Sequence, residues 1–148
     1  MDAAQVALDY WLEPLTPESL PAVAAELLAD GYDSPALRET AGMPPGDVVC
    51  VREVFVRALR EMGVHVDSRE DAQVRQLRPW VRQTLDGSLT RAELSARVGR
   101  IWRIRDLVDH DRFPAAVVNL VLACLGDDSR VDDAKFVGAL RGAGQALG

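Results

Sequence analysis

Read for its alternation of apolar and polar positions, the chain is a succession of short helical patterns separated by proline, glycine and acidic turns. Val6, Ala7, Tyr10 and Trp11 recur at helical spacing over residues 3–13, and Pro14 ends the run. A second helix follows through Ala29, with Thr16 or Ser19 as alternative caps and Gly31 as its stop. Ser34 before Pro35 opens a short helix that Gly42 closes, and Met43 to Gly46 is a rigid turn too short to be a linker.

The segment after Asp47 is rich in β-branched residues, yet its period is helical. Val48, Val51, Phe55, Leu59 and Met62 form one stripe, Glu53, Arg57, Arg60 and Glu61 gather on the other side, and Gly63 ends the run. Ser68 and Asp71 resemble a capping box opening a helix that buries Val74, Leu77, Val81 and Leu85, with Pro79 on its outer side. Thr90 to Glu93 is a clearer capping box, before a stripe of Leu94, Val98, Ile101, Ile104 and Val108 with Trp102 at its edge. On that wheel Arg105 projects into the buried stripe, which calls for an acidic partner.

Phe113 to Leu125 has one polar side chain, Asn119. Such a helix, capped by Asp111 with Pro114 in its first turn, is expected to be enclosed by other elements, with the Asn119 amide hydrogen-bonded inside or else at the edge of a homodimer face. A last helix spans 131–146, loosened by glycines. No alternating strand pattern with turn chemistry occurs, so the expected class is all-α: a single-domain bundle over 1–148, of about six to seven helices around the central helix at about 112–125. Leu15-Thr16 with Leu20 matches Leu89-Thr90 with Leu94 at half the chain length, which suits a two-fold repeat of 1–74 and 75–148; two helices sharing a start signal explain it more simply.

Length agrees with one domain able to bury a core without staples, and two cysteines, Cys50 and Cys124, form no disulfide framework. An acidic start and the lack of a membrane-length apolar run point to a cytoplasmic protein that does not enter a membrane. Arginine greatly outnumbers lysine, a bias usual for G+C-rich bacterial genomes.

The net charge of -6 is unevenly placed. Residues 1–66 sum to -7, residues 67–105 to +4 and residues 106–148 to -3. Two surfaces of opposite sign follow. Arg75, Arg78, Arg82, Arg100 and Arg103 form a basic one beside Trp80 and Trp102, suited to single-stranded nucleic acid, although core tryptophans with solvated arginines are the simpler reading. Asp127, Asp128, Asp132 and Asp133 form an acidic one, suited to capping a helix or docking a basic protein.

Catalytic signals are weak. Asp106 and His110, four apart, invite a metal, but a histidine near a helix C-terminus and Asp111 as a cap explain them, and no second histidine is near. No phosphate-cradling glycine loop, calcium loop or nucleophile motif is present, so no cofactor, metal or catalytic residue is expected.

The stretch Leu27 to Arg38, LLADGYDSPALR, followed by Ala41-Gly42, resembles small all-α bacterial proteins of unknown function, some associated with toxin-immunity settings. That resemblance implies an accessory protein without catalytic residues. Together with the charge layout it leads to the expectation of a non-enzymatic, monomeric or homodimeric protein-binding module, an immunity or regulatory factor. The alternative is a nucleic-acid-binding regulator using residues 75–103.

Overall fold

A computed structural model describes residues 1–13, 15–108, 112–126 and 131–148. They are all-α: α1 (Ala3–Leu12), α2 (Leu20–Ala29), α3 (Pro35–Ala41), α4 (Val48–Glu61), α5 (Arg69–Leu85), α6 (Arg91–Ile101), α7 (Ala115–Leu125) and α8 (Asp133–Leu147). Two 3₁₀ turns, Pro17–Ser19 and Ile104–Leu107, complete the described elements, so the helices number slightly more than the sequence pattern suggests. The chain divides into two compact units, Met1–Ala72 and Gln73–Gly148, with the boundary inside α5.

Local chemistry sets the helix ends. The Ser34 hydroxyl accepts the Leu37 N–H at 3.1 Å, and Asp132 accepts the Lys135 N–H at 2.8 Å. Thr90 and Glu93 form the full reciprocal box. At the second helix neither candidate cap acts as one: the Thr16 and Ser19 side chains accept no helix N–H, Ser19 already has helical backbone behind the 3₁₀ turn, and its hydroxyl donates back to the Thr16 carbonyl at 2.8 Å. Gly63 sits at φ 80°, letting the chain turn so that the Val64 N–H reaches the Leu59 carbonyl at 2.9 Å, an ending that glycine alone reaches without strain.

In the first unit α3 packs on both α2 and α4. Leu20, Leu27, Leu37, Phe55 and Leu59 are buried there, each contributing about 1.5–3 kcal/mol of transfer free energy. The α4 stripe is wider than the sequence spacing suggests, because Val54 and Ala58 join Val51, Phe55 and Leu59, whereas Val48 at the helix start is exposed. Tyr10 of α1 meets Phe55 with ring centroids 5.5 Å apart. The Trp11 indole donates to the Val66 carbonyl at 2.9 Å, and Arg69 donates to the carbonyls of Trp11 and Leu12, tying the connector after α4 to the end of α1.

In the second unit α7 packs on α6 and α8, and here several expectations are corrected. α6 stops at Ile101 because Trp102 turns to extended backbone (φ -110°, ψ 143°) and enters the core completely, against Phe113 at 4.8 Å. Its indole Nε1 is buried with no hydrogen-bond partner among the described residues. The chain after that turn is out of phase with α6. Leu107 is buried, while Ile104 and Val108 are 68% and 73% exposed. Arg105 is exposed as well, so the buried ion pair expected of it does not form.

α7 begins at Ala115 behind Pro114, later than expected, and it is not enclosed on every side. Asn119 is exposed together with Ala115 and Leu122, so its amide faces water rather than a partner helix. In α5, Leu77 and Val81 are buried as expected, but Leu85 is exposed, Val74 is half-buried, and Ala72 and Gln73 are buried beside the stripe. Pro79 lies on the exposed side. Gly142 and Gly144 of α8 mark close packing: a Cβ would stand 3.6 Å from Ala116 Cβ in one case and 3.0 Å from Leu85 Cδ1 in the other. No described helix is long and apolar enough to cross a membrane.

Candidate interaction surfaces

The five arginines of the expected basic surface are exposed, but three have local duties. Arg82 donates to the Gly148 carbonyl at 2.7 Å. Arg103 folds back over the end of α6, donating to the carbonyls of Gly99, Arg100 and Trp102. Arg75 has a partner of its own. Arg78 and Arg100 have no ion pair or hydrogen bond to a described side chain. The tryptophans do not flank these arginines as open stacking faces. Trp102 is inside the core, and Arg97 covers half-buried Trp80 with its guanidinium 5.8 Å from the ring centroid.

On the acidic surface, Asp127 and Asp128 lie outside the described residues. Asp132 is the cap of α8, and Asp133 pairs with Arg91 at 3.0 Å while remaining open to solvent. Arg91 also lies 4.5 Å over the Phe136 ring, which fixes its guanidinium between an aromatic face and the start of α8.

The pair Asp106 and His110 is only half in view, since His110 lies outside the described residues. Asp106 itself serves the fold, because its carboxylate accepts the Arg103 N–H at 2.8 Å and the Gln73 amide at 3.2 Å. Among the described residues no three His, Cys, Asp or Glu side chains converge as a metal site. Cys50 and Cys124 form no disulfide with each other, Cys50 being exposed and Cys124 buried. The hydrogen bond of Cys50 to Asp47, reinforced by that carboxylate's charge, raises the thiol above its ordinary value.

A site that sequence spacing did not reveal lies between α1 and α4. A groove of about 440 Å³ is lined by Tyr10, Arg52, Glu53, Val56, Arg57 and Arg60. The five α4 residues fall on one side of the helix, opposite Val51, Phe55 and Leu59, because steps of three and four return to the same face. Val49, 72% exposed, precedes Arg52, Val56 and Arg60 on that face. The wheel of α4 shows its polar side, but only the tertiary contact of Tyr10 with Phe55 reveals that α1 supplies the aromatic wall.

The groove's own lining is richer in arginine than the acidic unit around it, although two of its three arginines are paired with carboxylates just outside it. Residues 1–72 contain five arginines against fourteen carboxylates, and three of the five line this groove. Arg57 pairs with Glu39 and more distantly with Glu61 (3.9 Å), and Arg60 pairs with Asp67 at 2.8 Å. All are exposed pairs, each worth at most about 1 kcal/mol. Arg52 has no ion pair among the described residues, and Glu53 is the one carboxylate on the lining. Comparison with models of known protein families, with curated proteins and with solved structures finds no match.

Proposed function

We propose that this chain is a non-enzymatic protein-binding module, acting in the cytoplasm of a bacterium as an immunity or regulatory factor. The observation that carries the reading is the outer face of α4, where exposed Val49 and half-buried Val56 stand among arginines, next to a groove whose floor is the edge of the buried Tyr10 ring. Tyrosine and arginine are the side chains on which protein interfaces concentrate, since each offers broad apolar contact with a polar end. A half-open apolar strip gains by being covered, whereas a catalytic site needs an activated group.

The experiment is capture from the source cell with the tagged chain and with its Val49→Asp variant, followed by reconstitution from purified components. A protein retained by the parent chain, lost with the variant and bound by the purified chain supports the reading. Salt-sensitive retention of nucleic acid that Arg78→Glu plus Arg100→Glu abolishes, with no protein partner reconstituted, overturns it in favour of a regulator using the basic surface.

A further inference from the structure

We propose that the groove between α1 and α4 takes an acidic segment of the partner, its carboxylates held by arginines and its apolar side chains laid on half-buried Val56 beside the exposed edge of the otherwise buried Tyr10 ring (7% exposed). The inference rests on reading the chain as a protein-binding module and names the chemistry of what it binds. Its basis is the supply of donors. A guanidinium carries five N–H donors in a planar fork matched to a carboxylate. Arg57 engages Glu39 and Glu61 through Nη2 and Nε, Arg60 engages Asp67 through Nε and Nη2, and Arg52 engages no described carboxylate. Each of the three therefore keeps donor capacity, and all three line one groove whose single carboxylate is Glu53.

The existing pairs do not block an incoming acid. Their side chains are roughly half exposed, from 33% for Glu61 to 58% for Asp67, so water already competes for these guanidinium groups and exchange for a partner's carboxylate costs little. A basic segment would meet three cations at the same groove. The fourteen carboxylates of residues 1–72 repel an acidic partner at a distance, so recognition depends on contact in the groove and not on steering. The apolar lining is then necessary, because charge alone does not hold such a partner.

The test is selection of a random twelve-residue peptide library on the immobilised full chain, in parallel with Arg52→Glu and Arg52→Lys chains whose helicity matches the parent by circular dichroism. Arg52 is exposed and has no ion pair among the described residues, so both variants should fold. The expected result is enrichment of peptides combining Asp or Glu with apolar residues, at least tenfold weaker on Arg52→Glu by fluorescence anisotropy and largely kept on Arg52→Lys. Enrichment of basic or uncharged peptides, no enrichment at all, or acidic peptides that bind Arg52→Glu as well as the parent would overturn the proposal. Failure here is separable from failure of the protein-binding reading, since a partner reconstituted by capture but insensitive to Arg52→Glu leaves that reading standing and removes only this groove.

Discussion

The side-chain amide of Gln73 is 1% exposed and donates to the main-chain carbonyl of Ile101 at 3.0 Å, at the point where α6 ends. The same nitrogen reaches the Asp106 carboxylate at 3.2 Å, so one buried amide joins α5 to the end of α6 and to the 3₁₀ turn that follows. Replacing Gln73 by Leu removes the donor shared by the Ile101 carbonyl and the Asp106 carboxylate and is expected to cost about 1–3 kcal/mol in chemical denaturation. Gln73→Glu should be worse near neutrality, because it buries a carboxylate beside Asp106. Burial and like charge both raise the new group above its unfolded value, so the penalty should fall as pH is lowered and the group takes up a proton. A stability that stays flat from pH 7 to pH 4 in that variant would contradict the placement.

The capping box at α6 makes a pH prediction of opposite sign. Glu93 is lowered below its ordinary value chiefly by accepting the Thr90 N–H, then by the Thr90 hydroxyl and by the charge of Arg97. The folded chain therefore binds fewer protons here than the unfolded chain, and the contribution is complete above the ordinary glutamate value and lost as pH falls through the folded one. Glu93→Gln should flatten the acid limb of the stability profile. Thr90→Ala should cost about 1 kcal/mol near neutrality, both effects being read from urea midpoints across a pH series.

Gly138 lies within α8 and Gly99 within α6, both exposed, and a Cβ at either meets nothing within 4 Å. Alanine at each should stabilise the chain by about 0.5–1 kcal/mol by restricting the unfolded state. Gly63 is the control of opposite sign, since at φ 80° an alanine is strained although space is open, and its thermal midpoint should drop.

Much of this fold was legible because helix ends are written in near-neighbour chemistry. Ser34, Thr90 with Glu93 and Gly63 each act on backbone groups a few residues away, so spacing alone identifies them, whereas Asp132 caps α8 one residue beyond the start that spacing gave. What spacing missed was decided by contacts distant in sequence. From Leu94 to Val108 the apolar period suits an unbroken helix, but Asp106 engaging Gln73 and the Arg103 N–H accompanies a turn that drives Trp102 and Leu107 inward and leaves Ile104, Arg105 and Val108 outside. Asn119 misled for a related reason: composition records how apolar α7 is, not which of its sides has neighbours. The groove on α4 was half visible, as a row of charges, and needed Tyr10 from another helix to become a concave surface.

The environments of the three tryptophans give the molecule its own optical labels. Trp102, fully buried and with no partner for its indole nitrogen among the described residues, should emit at the blue edge of the tryptophan range, whereas half-buried Trp11 and Trp80 should emit further to the red. Trp11 is the sole tryptophan of Met1–Ala72, and the other two belong to Gln73–Gly148. In a Trp11→Phe chain all remaining indole emission comes from residues 73–148, and a denaturant titration followed at short and long wavelengths reports that half's melting alone. Set beside the parent chain, the difference spectrum isolates Trp11, so unlabelled protein can show whether the two halves come apart together or in turn.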